Sequence, residues 1–305
     1  MKKYIDWGRE KEWIVIEDDS LPSSFPFDVV LNKIKEGDMI YLESGIPKHF
    51  LKQILDKGAR VFLVDALKVK QLRDNEKIKK SDFADAIAIK KFVSEKSNEI
   101  IEFTVRNLET SKSKALYYLY KKTTQHLVSL KNQEKAFEKE YGTSNPIILE
   151  AIKSSEKLKR ELLKQIVKTF RPEISLFQDI KGLGERYVVG ILLEAHPQNF
   201  PTVTRYLSYC GLKSKEFTKN RYNRSVNSLY HEVAKSVIMH KDEHYYPLYL
   251  KIKDNIKSKH PEYTQRHIDN AAKNRIATFI AKEFYSRINN LNHQQKSLSH
   301  DLRCE

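Results

Sequence analysis

Cysteine is nearly missing from this chain: Cys210 and Cys304 are the only two thiols in 305 residues. Two cysteines build no disulfide framework, and these two form no zinc pattern, so a reducing cytoplasm is the expected compartment. Long apolar runs are missing as well. No stretch reaches the 18 apolar residues of a membrane span. The start, MKKYIDWGREKEW, has lysines with no apolar stretch behind them, so no signal peptide is expected. No internal repeat occurs. Acid is in short supply, with 40 Asp and Glu against 55 Lys and Arg, a formal charge of +15. The shortage is uneven. Residues 1–66 carry 12 acids and 10 bases, so the whole basic excess lies beyond them. Such a distribution points to a polyanion partner, most often nucleic acid. A lysine-rich proteome would leave the same composition, and charge alone does not separate the two.

What is present changes texture along the chain. YIDW and EWIVIE read as strands joined by a tight turn around Gly8, and MIYLES (39–44) and ARVFLVDA read as further strands. FPFDVVLNKI leads into a helix, and PKHFLKQILDKG is an amphipathic helix ended by Gly58. Strands alternating with helices predict an α/β sheet with some parallel pairs. From about residue 108, Leu116, Tyr120, Thr123, Leu127, Leu130, Glu134, Phe137 and Tyr141 alternate steps of four and three, a heptad-like seam. YGTSNP breaks it. A second helix then carries Ile148, Ile152, Leu158, Leu162, Ile166 and Phe170 on one side. The pair predicts an antiparallel hairpin, a dimer-forming coiled coil or two helices of an ordinary bundle. The expected divisions are 1–107, an α/β domain; 108–172, a helical connector; 173–285, a mainly helical domain; and 286–305, a loose polar tail.

Four acids stand where chemistry gathers. Asp6 in YIDWG and Glu43 in YLESG each close an apolar strand just before a glycine, and ligand sites in α/β sheets collect at strand ends. Alternation turns Ile5 and Trp7 to the pleat face opposite Asp6. Asp82 and Asp85, in KKSDFADAIAIKKF, face one another across one helical turn and repel. Four such oxygen donors could hold two Mg²⁺ (or Mn²⁺) ions about 4 Å apart, clamping the oxygens of a phosphodiester transfer and neutralising the crowded acids. Each acid alone is equally a solvated side chain, and Asp82 and Asp85 equally suit a helix N-terminus.

An acid after the first strand, a glutamate after a later one and then Lys-Ser-Asp-x-x-Asp-Ala resemble the DEDD-type insertion-sequence transposases, the bridge-RNA-guided recombinases. The matching stretches are YIDWG, YLESGIP, GARVFLVDALKVKQLR and KSDFADAIAI. The resemblance implies a ribonuclease-H-like, resolvase-like N-terminal domain with Asp6, Glu43, Asp82 and Asp85 as its four metal ligands.

In the second half, LFQDIKGLGERYVVGILLEA has the form of a helix–hairpin–helix. Gly182 and Gly184 free backbone N–H groups for a phosphate, and Lys181 and Arg186 add charge; a glycine turn for close helix packing reads equally well. KGLG, NFPTV and YLSYCGL follow the plan of the family's C-terminal transposase domain, with Lys181 where the family has proline. The resemblance thus spans about residues 1–95 and 173–250. It implies a serine nucleophile after the Gly-Leu turn that joins to a DNA 5′ phosphate, activated by the acid-bound metals. The family's Ser-Gly pair is absent from KSKEFTKNRYNRSVNSLYHEVA, leaving Ser214 and Thr218 nearest the family position, and Ser225, which suits a helix N-cap equally. Lys219, Arg221 and Arg224 would meet phosphates, and the tyrosines of HKDEHYYPLYLKIK would stack on bases or pack in the core. His231, His240 and His244 show no metal spacing.

The expected function is Mg²⁺-dependent DNA strand cleavage and exchange in the cytoplasm, at the nucleoid, by a homodimer or homotetramer. The partners would be DNA and a structured guide RNA, with no membrane. A junction nuclease with no covalent step and a non-catalytic nucleic-acid binder are the alternatives.

Overall fold

A computed structural model describes residues 1–7, 12–18, 20–77, 79–213 and 222–301, with backbone alone for 292–301. The chain divides by its internal contacts into two units, Met1–Lys112 and Ser113–Glu305.

The first unit is a mixed six-stranded sheet. Its strands are β1 (Lys2–Trp7), β2 (Glu12–Glu17), β3 (Ser23–Pro26), β4 (Met39–Glu43), β5 (Arg60–Val64) and β6 (Ile101–Phe103), in the order β3-β2-β1-β4-β5-β6. β1 pairs antiparallel with β2 and parallel with β4, and β4 pairs parallel with β5. The short edge strands β3 and β6 are antiparallel additions that the alternation argument did not foresee. Gly8, expected at the β1–β2 turn, lies outside the described residues.

Period-two alternation divides the sheet into two apolar faces. Ile5, Val15, Ile40, Leu42 and Val61 meet α1 (Phe27–Lys33) and α2 (Lys48–Asp56) through Val30, Leu51 and Ile54. Tyr4, Ile14, Ile16, Tyr41 and Val64 meet α3 (Ala66–Asn75) and α4 (Asp82–Glu95) through Val69, Ala86, Ile89 and Phe92. Each fully buried Ile or Leu in these layers is worth about 1.5–3 kcal/mol. Local signals set the helix starts: the Asp65 carboxylate accepts from Leu67 N (2.9 Å) ahead of α3, and Ser81 Oγ accepts from Ala84 N (3.1 Å) ahead of α4.

The regular elements among the described residues of the second unit are all helices. A long helix, α5 (Val105–Tyr141), contributes its residues from Ser113 onward. Then come α6 (Pro146–Thr169), α7 (Arg171–Ser175), α8 (Glu185–Glu194), α9 (Val203–Tyr209), α10 (Arg224–Met239), α11 (Tyr245–Lys259) and α12 (Gln265–Asp301). α5 and α6 form the antiparallel hairpin: Ser113 Oγ donates to Thr169 Oγ1 (2.9 Å), and Lys131 Nζ pairs with Glu156 (2.7 Å) nearer the bend. Asn145 caps α6, its side chain accepting from Ile147 N and Ile148 N, and Pro146 takes the first helical position, where no N–H is missed. The hairpin shares one core with the rest of the unit, through Tyr117, Tyr120, Leu162, Ile166 and Phe170. The seam turns slightly from its expected line, burying Tyr117 while Leu116 is only half-buried.

The loose tail expected at 286–305 is not seen over its first part. α12 runs on to Asp301, and Ile288 is fully buried in the core, continuing the apolar line of Ala277, Ala281 and Phe284. Counting polar residues hid this, because one isoleucine per turn is enough to hold a helix against a core.

Candidate functional site

The sheet register brings the first two acids together. Tyr4 lies beside Tyr41 and Ile5 beside Leu42 on parallel strands. One step further along this register, Asp6 falls beside Glu43. Both acids stand on the α3–α4 face, at the same strand ends, above stacked rings: Tyr4 on Tyr41 (5.3 Å) and Tyr41 on Phe62 (5.0 Å). Asp6 is 8% exposed and Glu43 is half-buried.

α4 packs over β1 and presents its first turn there. Asp82 is its first residue and is exposed. Burial pushes the Asp6 carboxyl up to about 7, with the negative charges of Glu43 and Asp82 adding to the rise and Lys80 and Arg73 opposing it. Burial also raises Glu43, again against Arg73 and Lys80. Asp6, Glu43 and Asp82 therefore share one electrostatic neighbourhood with two cations.

Asp85 departs from the expected set. Its carboxylate is ion-paired with Arg73 of α3, and both side chains are buried. The crowding of Asp82 and Asp85 is thus resolved without a metal: Asp82 faces the positive end of the α4 dipole, and Asp85 is neutralised by a guanidinium. Among the described residues, no three His, Cys, Asp or Glu side chains stand close enough to hold a metal ion as they are arranged. Arg73 and Lys80 are the cations of this neighbourhood that reading the acids alone missed. A signal for Arg73 existed. It lies four residues after Val69, on the buried stripe of α3, and a cation on a buried stripe announces a buried partner.

In the second unit, the glycine hairpin serves packing first. Gly182 has φ +95, and a Cβ there would lie 2.8 Å from Ser236 O and 2.9 Å from Val237 N, so the loop presses on the α10 backbone. Gly184 precedes α8 as a cap without a side-chain hydrogen bond and has open space around it. Lys181 donates from its backbone to Asp242 (2.8 Å) and pairs through Nζ with Glu243 (2.5 Å). Arg186 bonds Tyr187 Oη and lies over its ring at 4.3 Å. Lys181, Gly182, Gly184 and Arg186 line one open groove of about 810 Å³ together with Lys235 and His240.

Ser214, Thr218, Lys219 and Arg221 lie outside the described residues. Arg224 is exposed at the first position of α10. Ser225 is not the cap of that helix. Asn223 is, accepting from Ser225 N (3.0 Å) and Val226 N (3.2 Å). The Ser225 hydroxyl instead accepts from Lys121 Nζ (2.8 Å) and donates to Glu194 (3.3 Å), and Lys121 pairs with Glu194 at 2.9 Å. The tyrosines of HKDEHYYPLYLKIK resolve toward the core: Tyr245 and Tyr249 are buried and donate to Glu283 and Asp269.

Comparison of the sequence with protein-family models and with curated proteins gives no match.

Proposed function

We propose that the chain is a metal-dependent DNA recombinase of an insertion sequence, with a ribonuclease-H-like first unit and a helix–hairpin–helix in the second. One observation carries the reading. Asp6 is a buried carboxyl pushed up to about 7 by its burial, by Glu43 at the neighbouring strand end and by Asp82 at the start of α4. An arrangement that holds Asp6, Glu43 and Asp82 together against their repulsion is costly for the fold alone and suits a divalent cation.

The donor chemistry suits Mg²⁺, a hard cation that takes carboxylate oxygens, and the three acids would draw together around it from the spacing they have here. Asp6, Glu43 and Asp82 would hold it, and Asp85 would join once Arg73 released it. A bound Mg²⁺ supplies charge stabilisation to a phosphodiester whose bonds are being exchanged. The protein's own residues do the rest. Tyr4 and Tyr41 stack as an apolar floor on the same face as the strand-end acids. Arg73 pairs with Asp85, and Lys80 offsets the negative charge of Glu43. The groove beside Gly184 and Arg186 offers backbone N–H groups and a guanidinium to phosphates.

A serine or threonine after the Gly-Leu turn is the proposed nucleophile, DNA the substrate and a structured RNA the proposed guide, with two or four copies joining two DNA ends. The test is strand cleavage and joining of element-end DNA with its flanking RNA in Mg²⁺. Asp6→Asn and Asp82→Asn are expected to abolish both steps, and full activity of either variant would remove the metal reading. A protein–DNA adduct that survives denaturant is expected. Efficient hydrolysis without an adduct would make the chain a junction nuclease.

A further inference from the structure

The face of the α5–α6 hairpin beside α8 carries more cations than acids. Lys131, Lys159, Arg160 and Arg186 come from α5, α6 and α8, and the first three line an opening of about 310 Å³ with Tyr120 and Glu156. A neighbouring cleft of about 370 Å³ shares Tyr120 and is lined by Lys121, Arg186, Tyr187, Ser225 and Glu232. Acids reach only some of these cations: Glu156 pairs with Lys131 and Glu194 with Lys121. Among the described residues, Lys159, Arg160 and Arg186 make no ion pair within 4.0 Å.

The stems are held in place. Lys159 Nζ lies 5.6 Å from the centre of the Tyr120 ring, and the Arg186 guanidinium lies 4.3 Å from that of Tyr187. Both tyrosines are buried, so they serve as walls that orient cations and not as platforms for bases. Lys159 is half-buried, and its ammonium is held below the ordinary lysine range by that burial and by the positive charges of Arg186 and Lys131. Three acids, Glu156, Glu194 and Glu232, face the five cations Lys121, Lys131, Lys159, Arg160 and Arg186, and an excess of cations at partial desolvation is stabilised by an anion. Gly184, with open space around it, sets the N-terminus of the ten-residue α8 beside the same arginine.

We propose that the hairpin is a nucleic-acid-binding surface, in which Lys159, Arg160 and Arg186 receive successive backbone phosphates of a polynucleotide strand that enters past the N-terminus of α8. The site lies within the second unit and needs no metal. It rests on the nucleic-acid part of the proposed function and not on the metal or the nucleophile. Its ligand is a phosphodiester backbone of either sugar type, because the cleft offers charges and walls but no base-reading edge.

The test is fluorescence anisotropy with the full chain in EDTA, using a labelled 20-nucleotide single strand of DNA and its RNA counterpart across a salt series. Binding in EDTA keeps this result independent of the metal reading. Lys159→Gln with Arg186→Gln is expected to weaken both strands about tenfold and to lower the salt slope by about 1.4, the loss of two phosphate contacts to a single strand. Arg186→Lys alone is expected to keep the slope. Circular dichroism of the double variant checks that the helices remain. An unchanged slope and affinity in the folded double variant would overturn the proposal. So would displacement of the strand by inorganic phosphate at equal concentration, which would mark a small-anion pocket and not a strand path.

Discussion

Asn in place of Asp6 removes one buried negative charge and keeps the side chain's shape. In the folded chain this carboxyl holds its proton up to about pH 7, whereas in the unfolded chain it releases it near 3.8. Between those values the folded state binds more protons than the unfolded one, so stability falls as pH rises from about 4 to about 7 and levels off above that. The full displacement corresponds to a ceiling of about 4 kcal/mol. Relaxation around the ion and entry of water reduce this, and about 2 kcal/mol is the expected gain for Asp6→Asn at pH 8. In a unit of this size that is a rise of about 8 °C in melting temperature. The assay is thermal unfolding in EDTA at pH 5, 6, 7 and 8, followed by the same series with millimolar Mg²⁺. Wild type is expected to lose stability toward pH 8 and to regain it with Mg²⁺, and the variant to do neither. A wild-type melting temperature that is flat from pH 5 to 8 and equal to the variant's would refute the electrostatic account of the site.

Arg73→Ala leaves Asp85 buried without its partner and is expected to cost about 3–5 kcal/mol, read by urea unfolding; if Met replaces Arg73 and Leu replaces Asp85 together, most of that loss should return. Gly182→Ala places a methyl against the Ser236 carbonyl at a positive φ, and a loss of about 1–3 kcal/mol is expected in the same assay. Tyr206 and Tyr230 share a 2.5 Å hydroxyl contact in the core. Tyr206→Phe leaves the Tyr230 hydroxyl without it and is expected to cost about 1–3 kcal/mol, measured by denaturant titration.

Much of the first unit was legible because alternation and helix punctuation agree there. YIDW, MIYLES and ARVFLVDA put apolar residues on both sheet faces, and the parallel pairing of β1, β4 and β5 follows from the helices between them. The nearness of Asp6 and Glu43 was equally legible, since both close strands of one period. The fate of Asp85 was not. Whether a carboxylate on α4 turns toward a metal or a guanidinium depends on how α3 lies beside it, and strand and helix periods say nothing about that rotation. The edge strands β3 and β6 are too short to show a period at all. In the second unit the spacing of the hairpin seam was visible, and its exact line was not: a helix can roll by one residue and still bury a stripe, which is how Tyr117 took the place expected for Leu116. Ser225 was read from its position near a helix start, yet the cap is Asn223, two residues earlier, and the hydroxyl was left to meet Lys121 and Glu194.

The contact beneath Gly182 is made to main-chain atoms of the opposite helix. A saturation screen should therefore be lopsided. Position 182 would reject every replacement, while Ser236, whose carbonyl is supplied by any amino acid, would accept most small or polar ones. Constraint in this loop belongs to one partner only, so second-site suppressors should arise from shifts of the loop and not from residue exchange at 236.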